Sequence, residues 1–469
     1  MAPPQRSTPD LRTLVTHPEL KSQQTFPVFK TLGEPEKSRL ERMLSVFADI
    51  RAGEGQGALL LALNVFLLLA AYYLLRNVRQ VLILTEGGAP FGWTRSQLAA
   101  YASGAMAIVL LGVVPLYGWL ASRVPRMRLI TITTVFFAAN LVLFSLVGQS
   151  GVRVGIAFYI WLGVFNVFII AQFWGLANDL YTEGQGRRLF PMIGVGASLG
   201  GLFGALAVGQ LVSLLAFTPL TVMLVSAAVL LVALAITMVA NRRVTKQSDP
   251  DAAGLNDVPL GRAGGFQLLL SDRYLTWIGV LIILLNIVNS LGGYMLNYFT
   301  EQALAAREAG EGQEFVAVFF SRFDALVSLT GLVLQLFITS RALRHFGVRG
   351  SLFVLPVLAL VNYSVIAVAP ILAVVVVGKI LENGTDYSLQ NTLRHALFLP
   401  TSREAKYKAK AAVDTFCTRF GDVLYAFVVA IGAAVGLTVS GYAWLNVALT
   451  VAWLWVASQI AREHRRRTI

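Results

Sequence analysis

The stretch that decides the fold is Gly57–Leu84, GALLLALNVFLLLAAYYLLRNVRQVLIL, an apolar run interrupted near its end by two tyrosines and two arginines. Tyr72, Arg76, Arg79 and Ile83 are spaced so that a helix would carry them on one face. An arginine at the centre of a bilayer costs about 2.5–3.5 kcal/mol on insertion scales, so such residues usually face the protein interior or a watery cavity. The stretch therefore predicts a membrane-spanning helix whose guanidinium groups face an internal cavity.

The composition of the whole chain indicates a polytopic membrane protein. Of its 469 residues, 56% are hydrophobic and 13% are charged, and the mean hydropathy is +0.67. These values argue against an ordinary soluble domain. The formal net charge of +13 does not indicate nucleic-acid binding, because the basic residues lie in short stretches between apolar runs. The single cysteine, Cys417, and four scattered histidines predict no disulfide, no metal site and no cofactor.

Twelve apolar segments are long enough to cross the membrane, for which a helix needs about 20 residues. We place these spans at 57–84, 95–121, 129–148, 153–179, 189–214, 218–240, 273–300, 315–340, 350–368, 371–391, 411–437 and 440–461. Lys and Arg concentrate in alternate loops and at both ends, which predicts cytoplasmic termini.

The N-terminal arm, 1–56, shows no signal peptide. Around Leu40–Phe47 it predicts an amphipathic helix on the membrane surface, with a disordered arm as the alternative.

The spans fall into two groups of six. The longest loop, 241–272, separates the groups, and a basic turn recurs at the same place in each. Gly118–Arg128 (GWLASRVPRMR) follows span two, and Ser340–Arg349 (SRALRHFGVR) follows span eight. Such repeats are typical of transporters built from two related halves. We expect an N-terminal half at 57–240, a cytoplasmic linker at 241–272, a C-terminal half at 273–461 and a basic tail at 462–469.

This plan, with a G-x-L-A-x-R-like turn between spans two and three, resembles the major facilitator superfamily. The resemblance implies an all-α membrane protein in which spans one, four, seven and ten line a central cavity. Spans two, five, eight and eleven would flank the cavity, and the remaining spans would face lipid. The intramembrane polar residues agree with this scheme. In the lining spans they are Arg76, Arg79, Asn166, Gln172, Asn286, Asn289, Lys379, Glu382, Asn383 and Asp386.

Charged residues in four spans are candidates for coupling or gating. Five polar residues of span ten lie along one helical face that cannot face lipid: Lys379, Glu382, Asn383, Asp386 and Gln390. Glu382 or Asp386 could pair with an arginine of span one or carry a coupling proton, and a local Lys379–Glu382 ion pair is the alternative. Outside span ten the gating or inter-half candidates are Asp179, Arg322, Asp324, Asp414, Arg419 and Asp422. Local contacts, such as Asp414 with Lys410 or water, are the alternative there.

Three glycines in span five, Gly196, Gly200 and Gly204, repeat at four-residue spacing after Gly194. Small residues at this spacing allow two membrane helices to approach closely. A dinucleotide-binding loop would need a preceding strand, and the surrounding sequence is one apolar helix. The pattern therefore predicts a close-packing helix face.

Arg76 and Arg79 have three possible roles. They could bind a substrate phosphate or carboxylate, because planar guanidinium groups suit both. They could instead form salt bridges with the acids of span ten, or extend to the outer membrane interface. The predicted substrate-binding set is Tyr72, Arg76, Arg79, Asn166, Asn286, Asn289, Lys379 and Asn383.

Three stretches in chain order resemble the ATP/ADP translocase family, the nucleotide transporters of plastids and intracellular bacteria. They are Tyr73–Leu84 (YLLRNVRQVLIL), Phe173–Gly196 (beginning FWGLAND) and Leu399–Asp414 (LPTSREAKYKAKAAVD). The resemblance implies an inner-membrane carrier that exchanges a nucleotide or related phosphorylated anion by alternating access. The family's functional set of two lysines and two glutamates falls on or near Arg79, Leu162, Gly293 and Asp422. Only the first of these positions keeps the expected charge.

Two other functions stay open at this point. One is a proton-coupled carrier of a non-nucleotide organic anion, and the other is a non-transporting receptor or scaffold that holds a partner through its basic loops. Enzymatic activity is not expected, because the sequence shows no nucleophile with a base, no metal cluster and no Walker loop. The expected partners are a small anionic substrate and the lipid bilayer, without nucleic acid, and we expect a monomer.

Overall fold

The computed structural model describes residues 50–86, 92–121, 123–181, 183–245, 265–307, 311–402, 405 and 409–468, together with Ser38, Arg39 and Arg42. The amphipathic helix predicted around Leu40–Phe47 and most of the predicted linker lie outside these residues. Within the described part the secondary structure is helical, and no strand is present there.

Six long helices form the N-terminal half. They are α1 (Gly55–Thr85), α2 (Arg95–Ala121), α3 (Arg126–Gln149), α4 (Gly155–Leu180), α5 (Glu183–Leu215) and α6 (Pro219–Thr245). All six contain a stretch long and apolar enough to cross a membrane. The largest differences from the predicted spans are at α5, which begins before residue 189, and at α6, which continues into the predicted linker.

The C-terminal half begins with a short helix, Gly265–Ser271, which lies inside the predicted linker. The long helices that follow are α7 (Arg273–Ala305), α8 (Gly312–Ser351), α9 (Val354–Val368), α10 (372–397), α11 (Lys410–Ala434) and α12 (Val439–Thr468). Three of them contain a π-helical segment, at Leu334–Thr339 in α8, Asp386–Gln390 in α10 and Val413–Cys417 in α11. A π-helical turn adds a residue and rotates the side chains that follow it.

Ten helices of the described part are long and apolar enough to cross a membrane. The two that do not meet this measure are α9, which is apolar but shorter, and α10, which carries Lys379, Glu382 and Asp386 along its length. The predicted all-helical, multi-pass membrane fold is confirmed. The count of twelve spans depends on α9 and α10 and stays a prediction.

The turn predicted at Ser340–Arg349 is mostly helical. α8 continues through this region to Ser351 and breaks only at Gly347, which has a φ of +63°. A left-handed backbone strains any residue with a Cβ atom, so a glycine accommodates this break. The basic turn after span two differs, because α2 ends at Ala121.

The bundle has two ends, which we call the terminal face and the opposite face. At the terminal face α1 begins and α12 ends. There Arg467 donates a hydrogen bond to Asp272 (2.6 Å), just before α7, and Arg243 donates one to Gln56 (2.7 Å) in the first turn of α1. At the opposite face α1 and α7 end and α2 and α8 begin.

The glycine face predicted in α5 packs against α1 and is confirmed. A Cβ atom added at Gly196, Gly200 or Gly204 would collide with α1 backbone atoms, which belong to Ala62, Phe66 and Ala70 respectively. Helices that approach this closely gain dispersion contacts along their backbones. This packing fixes the rotation of α1, so its arginine-bearing stripe faces the C-terminal half.

The two halves meet mainly where α5 packs on α8 and where α2 packs on α11. At the first of these contacts the Ser321 hydroxyl accepts a hydrogen bond from the Gly209 N–H (3.2 Å) and donates one to the Ala205 carbonyl (2.7 Å). At the second, Gly104 allows the Ala426 methyl group to lie against the backbone of α2. Small residues thus bring the halves together.

At the opposite face, further contacts join the halves. The Glu301 carboxylate, near the end of α7, accepts hydrogen bonds from the backbone N–H groups of Arg95 (2.9 Å) and Ser96 (3.0 Å) in the first turn of α2. A negative charge is favourable at a helix N-terminus, where backbone N–H groups lack partners. The Gln80 amide also approaches the Asn297 side-chain oxygen at 3.5 Å. These contacts connect the halves between the central cavity and the opposite face.

Candidate functional site

A cavity of about 180 Å³ lies between the two halves, near the middle of the bundle. Its lining comes from α1, α4, α7 and α10 and from the flanking helices α2, α8 and α11, as the resemblance to the major facilitator superfamily implies. The polar lining residues are Arg76, Arg79, Gln80, Ser103, Asn289, Ser290, Asn297, Asp324, Lys379 and Asn383. Five of the predicted substrate-binding residues are therefore brought together around one space.

Arg76 forms an ion pair across the two halves. Its Nη2 atom lies 3.2 Å from the carboxylate of Asp324 in α8, and the Asp324 side chain is only 2% exposed. Arg76 also lies close to the Tyr387 side chain of α10 and interacts with it electrostatically. One guanidinium group thus connects α1 to two helices of the other half. This agrees with the expectation that charges in span eight make inter-half contacts.

The partner of Arg76 differs from the acids expected in span ten. A pair with Glu382 or Asp386 across the cavity is one of the possibilities that the sequence leaves open, but both acids have partners inside the C-terminal half. Asp386 begins the π-helical segment of α10 and lies 3.4 Å from Arg394 on the same helix. The acid that reaches Arg76 is Asp324, because α8 packs directly on α1 and α5.

Lys379 and Glu382 are held in a buried network. The Lys379 Nζ atom lies 3.2 Å from the Glu382 carboxylate and donates to the backbone and side-chain oxygens of Asn289, both at 3.1 Å. Glu382 accepts a hydrogen bond from Tyr363 of α9 (2.7 Å), and the Asn289 amide donates to Asn383 (3.2 Å). Buried charges are tolerated when they are paired and hydrogen-bonded. The local ion pair considered as an alternative is therefore present.

Arg79 has a different environment from the other two cations of the cavity. Its guanidinium lies over the ring of Tyr159, 4.5 Å from the ring centroid, and its Nε atom is buried without a partner among the described residues. The positive charge of Arg79 also attracts the Asp324 carboxylate, but the close contact of Asp324 is with Arg76. Within the described residues Arg79 forms no ion pair, so its remaining N–H donors are free for a ligand.

The cavity has an excess of positive charge. Three cations line it, namely Arg76, Arg79 and Lys379, and two acids, Asp324 and Glu382, contact two of them directly. One positive charge is therefore not balanced within this group. One carboxylate oxygen of Asp324 is buried without a hydrogen-bond partner among the described residues. Since charge interactions strengthen in a low-dielectric interior, the unbalanced positive charge of the three cations can attract and hold a small anion.

Aromatic rings complete the lining, and the sequence did not single them out. They are Tyr159, Phe320, Phe323, Tyr387 and Tyr425. Rings in a cavity wall offer flat apolar faces on which a planar group can stack. An aromatic residue within an apolar run carries no signal of the side that it faces, so sequence alone could not find these residues.

Asn286 and Asp422 lie in the contact between α7 and α11. The Asn286 amide donates to Asp422 (2.8 Å) and to the Thr418 carbonyl (2.9 Å), and Asp422 also pairs with Arg419 (3.0 Å). A Cβ atom at Gly421 would lie 2.9 Å from Asn286 Cβ, so this glycine allows α11 to approach α7. Asn286 therefore satisfies its amide between helices and is not part of the cavity lining.

The remaining predicted residues lie at different places. Tyr72 packs edge-on against Tyr73 with ring centroids 5.5 Å apart, beside the arginine stripe. Asn166 is half-buried in α4, and its side-chain oxygen has no partner among the described residues. Asp179, at the end of α4, pairs with Arg126 at the start of α3 near the terminal face.

Two further charges predicted for gating also lie outside the cavity lining. Arg322 is exposed and lines a separate pocket on α8. Asp414 accepts a hydrogen bond from Lys410 one turn earlier in α11, at 2.7 Å, which is the local alternative considered for this residue.

A bidentate ion pair at the terminal face was not predicted. Glu54, just before α1, accepts hydrogen bonds from Arg188 of α5 at 2.8 and 2.9 Å, and Gln185 adds a longer one at 3.3 Å. Partial burial raises the pKa of Glu54, but the hydrogen bonds from Arg188 and the Arg51 N–H outweigh it and lower the pKa below its usual value. The pair fixes the start of α1 against α5.

Solved structures show the fold of this chain by similarity. A POT family transporter in complex with a thioalcohol-conjugated peptide matches with a TM-score of 0.64 at 14% identity, over 86% of this chain and 96% of that one. A bacterial homologue of the iron transporter ferroportin in an inward-facing state matches with a TM-score of 0.61 at 14% identity, over 87% and 98%. The nucleoside transporter NupG gives a TM-score of 0.57 at 15% identity, over 85% and 98%. The fold is that of the major facilitator transporters.

Sequence comparisons give the family. ADP,ATP carrier protein 2 of Chlamydia pneumoniae is 21% identical over 488 residues, covering 84% of this chain and 86% of that protein. ADP,ATP carrier protein 1 of Chlamydia trachomatis serovar D is 24% identical over 351 residues, 64% of each chain. The model of the family described as TLC ATP/ADP transporter matches residues 156–464. The resemblance expected from the three sequence motifs is confirmed, and the chain belongs to the TLC ATP/ADP transporter family.

Proposed function

We propose that this protein is a secondary carrier that exchanges a nucleotide such as ATP or ADP, or a related phosphorylated anion, across the bacterial inner membrane. Membership of the family and the names of the Chlamydia relatives support a nucleotide as the substrate. Both termini would lie in the cytoplasm, as the loop charges indicate. The observation that carries the proposal is Arg79, a cation without an acidic partner among the described residues, in a cavity between the two halves.

Phosphate groups fit the cations of the cavity. A guanidinium group can donate two parallel hydrogen bonds to phosphate oxygens, and such charge-assisted bonds are the stronger kind. Arg79 would provide the first contact because its donors are free, and Lys379 would add a second positive charge from α10. The rings of Tyr159, Tyr387 and Tyr425 surround the same space and provide stacking surfaces for a planar base.

The ion pair between Arg76 and Asp324 offers a link between substrate and movement. A phosphate that binds Arg76 competes with Asp324 for the same guanidinium and weakens the connection between α1 and α8. The halves would then be freer to rearrange, and the contacts of Glu301 at the opposite face would break when the cavity opens there. In the empty carrier, Arg76 and Asp324 stay paired and continue to connect α1 and α8. Alternating access would therefore be faster with substrate bound, which favours exchange over net transport.

Three polar residues of α10 remain candidates for coupling. Lys379, Glu382 and Asp386 are all buried, and the first two belong to one network with Asn289. A bound anion that attracts Lys379 would disturb the network, so binding in the cavity would be transmitted to α9 through Tyr363. The same groups would carry the proton if transport were proton-coupled.

Exchange can be tested with purified protein in liposomes. Labelled ATP is added outside vesicles loaded with ADP or with buffer, and uptake is followed over time. We expect uptake into ADP-loaded vesicles to be faster by at least about tenfold, corresponding to about 1.4 kcal/mol in activation free energy. Uptake that requires a pH gradient and ignores internal ADP would contradict exchange. Uptake of other organic anions without any nucleotide uptake would contradict the proposed substrate.

A further inference from the structure

A second pocket, of about 520 Å³, lies on α8 toward the opposite face, outside the central cavity. We call it the α8 pocket. Its charged residues are Arg307, Glu311, Glu314 and Arg322, and its apolar residues include Phe315, Val318, Leu326 and Val376 of α10. Charges therefore lie beside an apolar surface, which is the arrangement expected for an amphiphilic ligand.

Arg322 lies in the middle of an exposed apolar face of α8. At 3.6 residues per turn, positions 315, 318, 326, 329 and 333 fall within about 40° of Arg322 around the helix axis, and all carry apolar side chains. Leu326, Leu329 and Val333 are 47%, 45% and 44% exposed, so this face is available to lipid. Arg322 is itself exposed and forms no hydrogen bond or ion pair with a described residue.

Such an arginine requires an anionic partner from outside the described protein. Arg322 lies about 15 Å along α8 from its first residue, Gly312, at a rise of about 1.5 Å per residue. An arginine on a lipid-facing surface is costly unless its charge is compensated, and its long side chain can reach up to the headgroup region. A lipid phosphate in the headgroup region is the anion that such a side chain can reach.

The other charges of the α8 pocket narrow the choice of headgroup. Glu311 and Glu314 are exposed at its rim, and Arg307 lies there with its guanidinium over Phe315, 4.0 Å from the ring centroid. Two carboxylates would repel a lipid that carries only negative charge. They suit a headgroup that has an ammonium group beside the phosphate, because that group can donate hydrogen bonds to them.

We propose that the α8 pocket binds one phospholipid with an ethanolamine headgroup. The phosphate is bound by Arg322 and Arg307, the ammonium group is bound by Glu314 and Glu311, and an acyl chain lies along the apolar face next to Leu326. The site is distinct from the central cavity, although Phe323 forms part of the wall of both. Asp324, two residues after Arg322, faces the central cavity, so a lipid bound here contacts the helix that carries one half of the inter-half ion pair.

Native mass spectrometry tests this site directly. The full chain is released from vesicles made of equal parts phosphatidylethanolamine, phosphatidylglycerol and phosphatidylcholine, and the retained lipids are identified. We expect one phosphatidylethanolamine per protein, preferred over each of the other two lipids by about tenfold, the effect of one charge-assisted hydrogen bond. Equal retention of phosphatidylglycerol, or no retained lipid, would overturn the proposal.

Variants of single residues in the α8 pocket test which side chains contact the lipid headgroup. Arg322→Gln is expected to reduce retention of phosphatidylethanolamine about tenfold without loss of folded protein, since Arg322 has no described partner to lose. Arg344→Gln, another exposed arginine of α8 near the terminal face, is the matched control and should keep the lipid. Glu314→Gln should raise the share of phosphatidylglycerol. If Arg322→Gln keeps the lipid, or if Glu314→Gln leaves the selectivity unchanged, the assigned contacts are wrong.

A final arm separates a lipid site from a site for the headgroup alone. Soluble phosphoethanolamine has the phosphate and the ammonium group but no acyl chains. At millimolar concentration it is expected to leave the bound lipid in place, because it lacks the apolar contacts along α8. Complete displacement of the lipid by this compound would overturn the role of the apolar face.

Discussion

Replacing Arg76 by glutamine tests whether its ion pair with Asp324 connects the two halves. At 3.2 Å, and with an effective dielectric constant of about 20, two unit charges attract each other by about 5 kcal/mol. Removing one partner of a buried pair costs about 3–5 kcal/mol, because the other charge is left uncompensated. Asp324 is 2% exposed, but Arg79 still attracts it. We therefore expect Arg76→Gln to lower the free energy of unfolding by about 3 kcal/mol, the lower end of this range.

The double variant Arg76→Gln/Asp324→Asn is the matched control. It removes both charges and leaves two amides that can hydrogen-bond, so it should be more stable than Arg76→Gln alone by about 2 kcal/mol. Stability can be measured by unfolding in mixed micelles, with each variant compared at the same lipid and detergent composition. If the loss in the double variant equals the sum of the losses in the two single variants, the pair has no coupling energy and does not stabilise the contact between the halves.

Two adjacent glycines of α7 provide a second test, because a Cβ atom at Gly292 would collide with Tyr363 and Lys379, whereas one at Gly293 meets nothing within 4 Å. Gly292→Ala should displace the lysine and weaken ATP binding about tenfold in titration calorimetry, whereas Gly293→Ala adds a methyl group to the cavity wall without displacing the lysine and should weaken binding less; equal losses in the two variants would argue against a role for the lysine. At the terminal face, the parent should be more stable than Glu54→Gln at neutral pH, because hydrogen bonds lower the pKa of this carboxylate in the folded state. That advantage should be complete above the unfolded pKa of about 4.5 and should disappear as the pH falls through the lower folded pKa, as melting temperatures between pH 3 and 8 would show. A difference that persists at the lowest pH would contradict the ionic character of this contact.

The sequence was sufficient to predict the cavity cations. Arginine and lysine are costly in lipid, so Arg76, Arg79 and Lys379 had to face the protein interior, and the glycine repeat of α5 correctly indicated the close packing that orients α1. The ion-pair partners of these cations were harder to predict. Whether Arg76 meets an acid of α8 or of α10 depends on how those helices are rotated and packed, and the π-helical segments alter that rotation without a periodic signal in the sequence.

Arg322 and Asp324 show what a closer reading of periodicity could have found. Residues two positions apart lie about 160° apart around a helix, so both cannot face one cavity. In the structure, Asp324 lines the central cavity and Arg322 lines the α8 pocket. Its polarity, together with its place in a span expected to line the cavity, predicts that Asn286 faces the cavity. Its actual partners lie on α11, which approaches closely because Gly421 has no side chain, and polarity carries no information about such a contact.

Replacing Arg79 by glutamine tests whether Arg79 binds the phosphate of the transported anion. The residue has no ion pair with a described residue, and its contact with Tyr159 is worth about 0.5–2 kcal/mol, so the variant should fold with a small change in stability. The measurement is the Kd for ATP, with the rate of exchange in ADP-loaded vesicles as a second readout. A charge-assisted hydrogen bond contributes about 1.5–3 kcal/mol, so we expect the Kd to rise at least about tenfold and exchange to slow. If folded Arg79→Gln protein binds and exchanges ATP like the parent, Arg79 does not bind the phosphate.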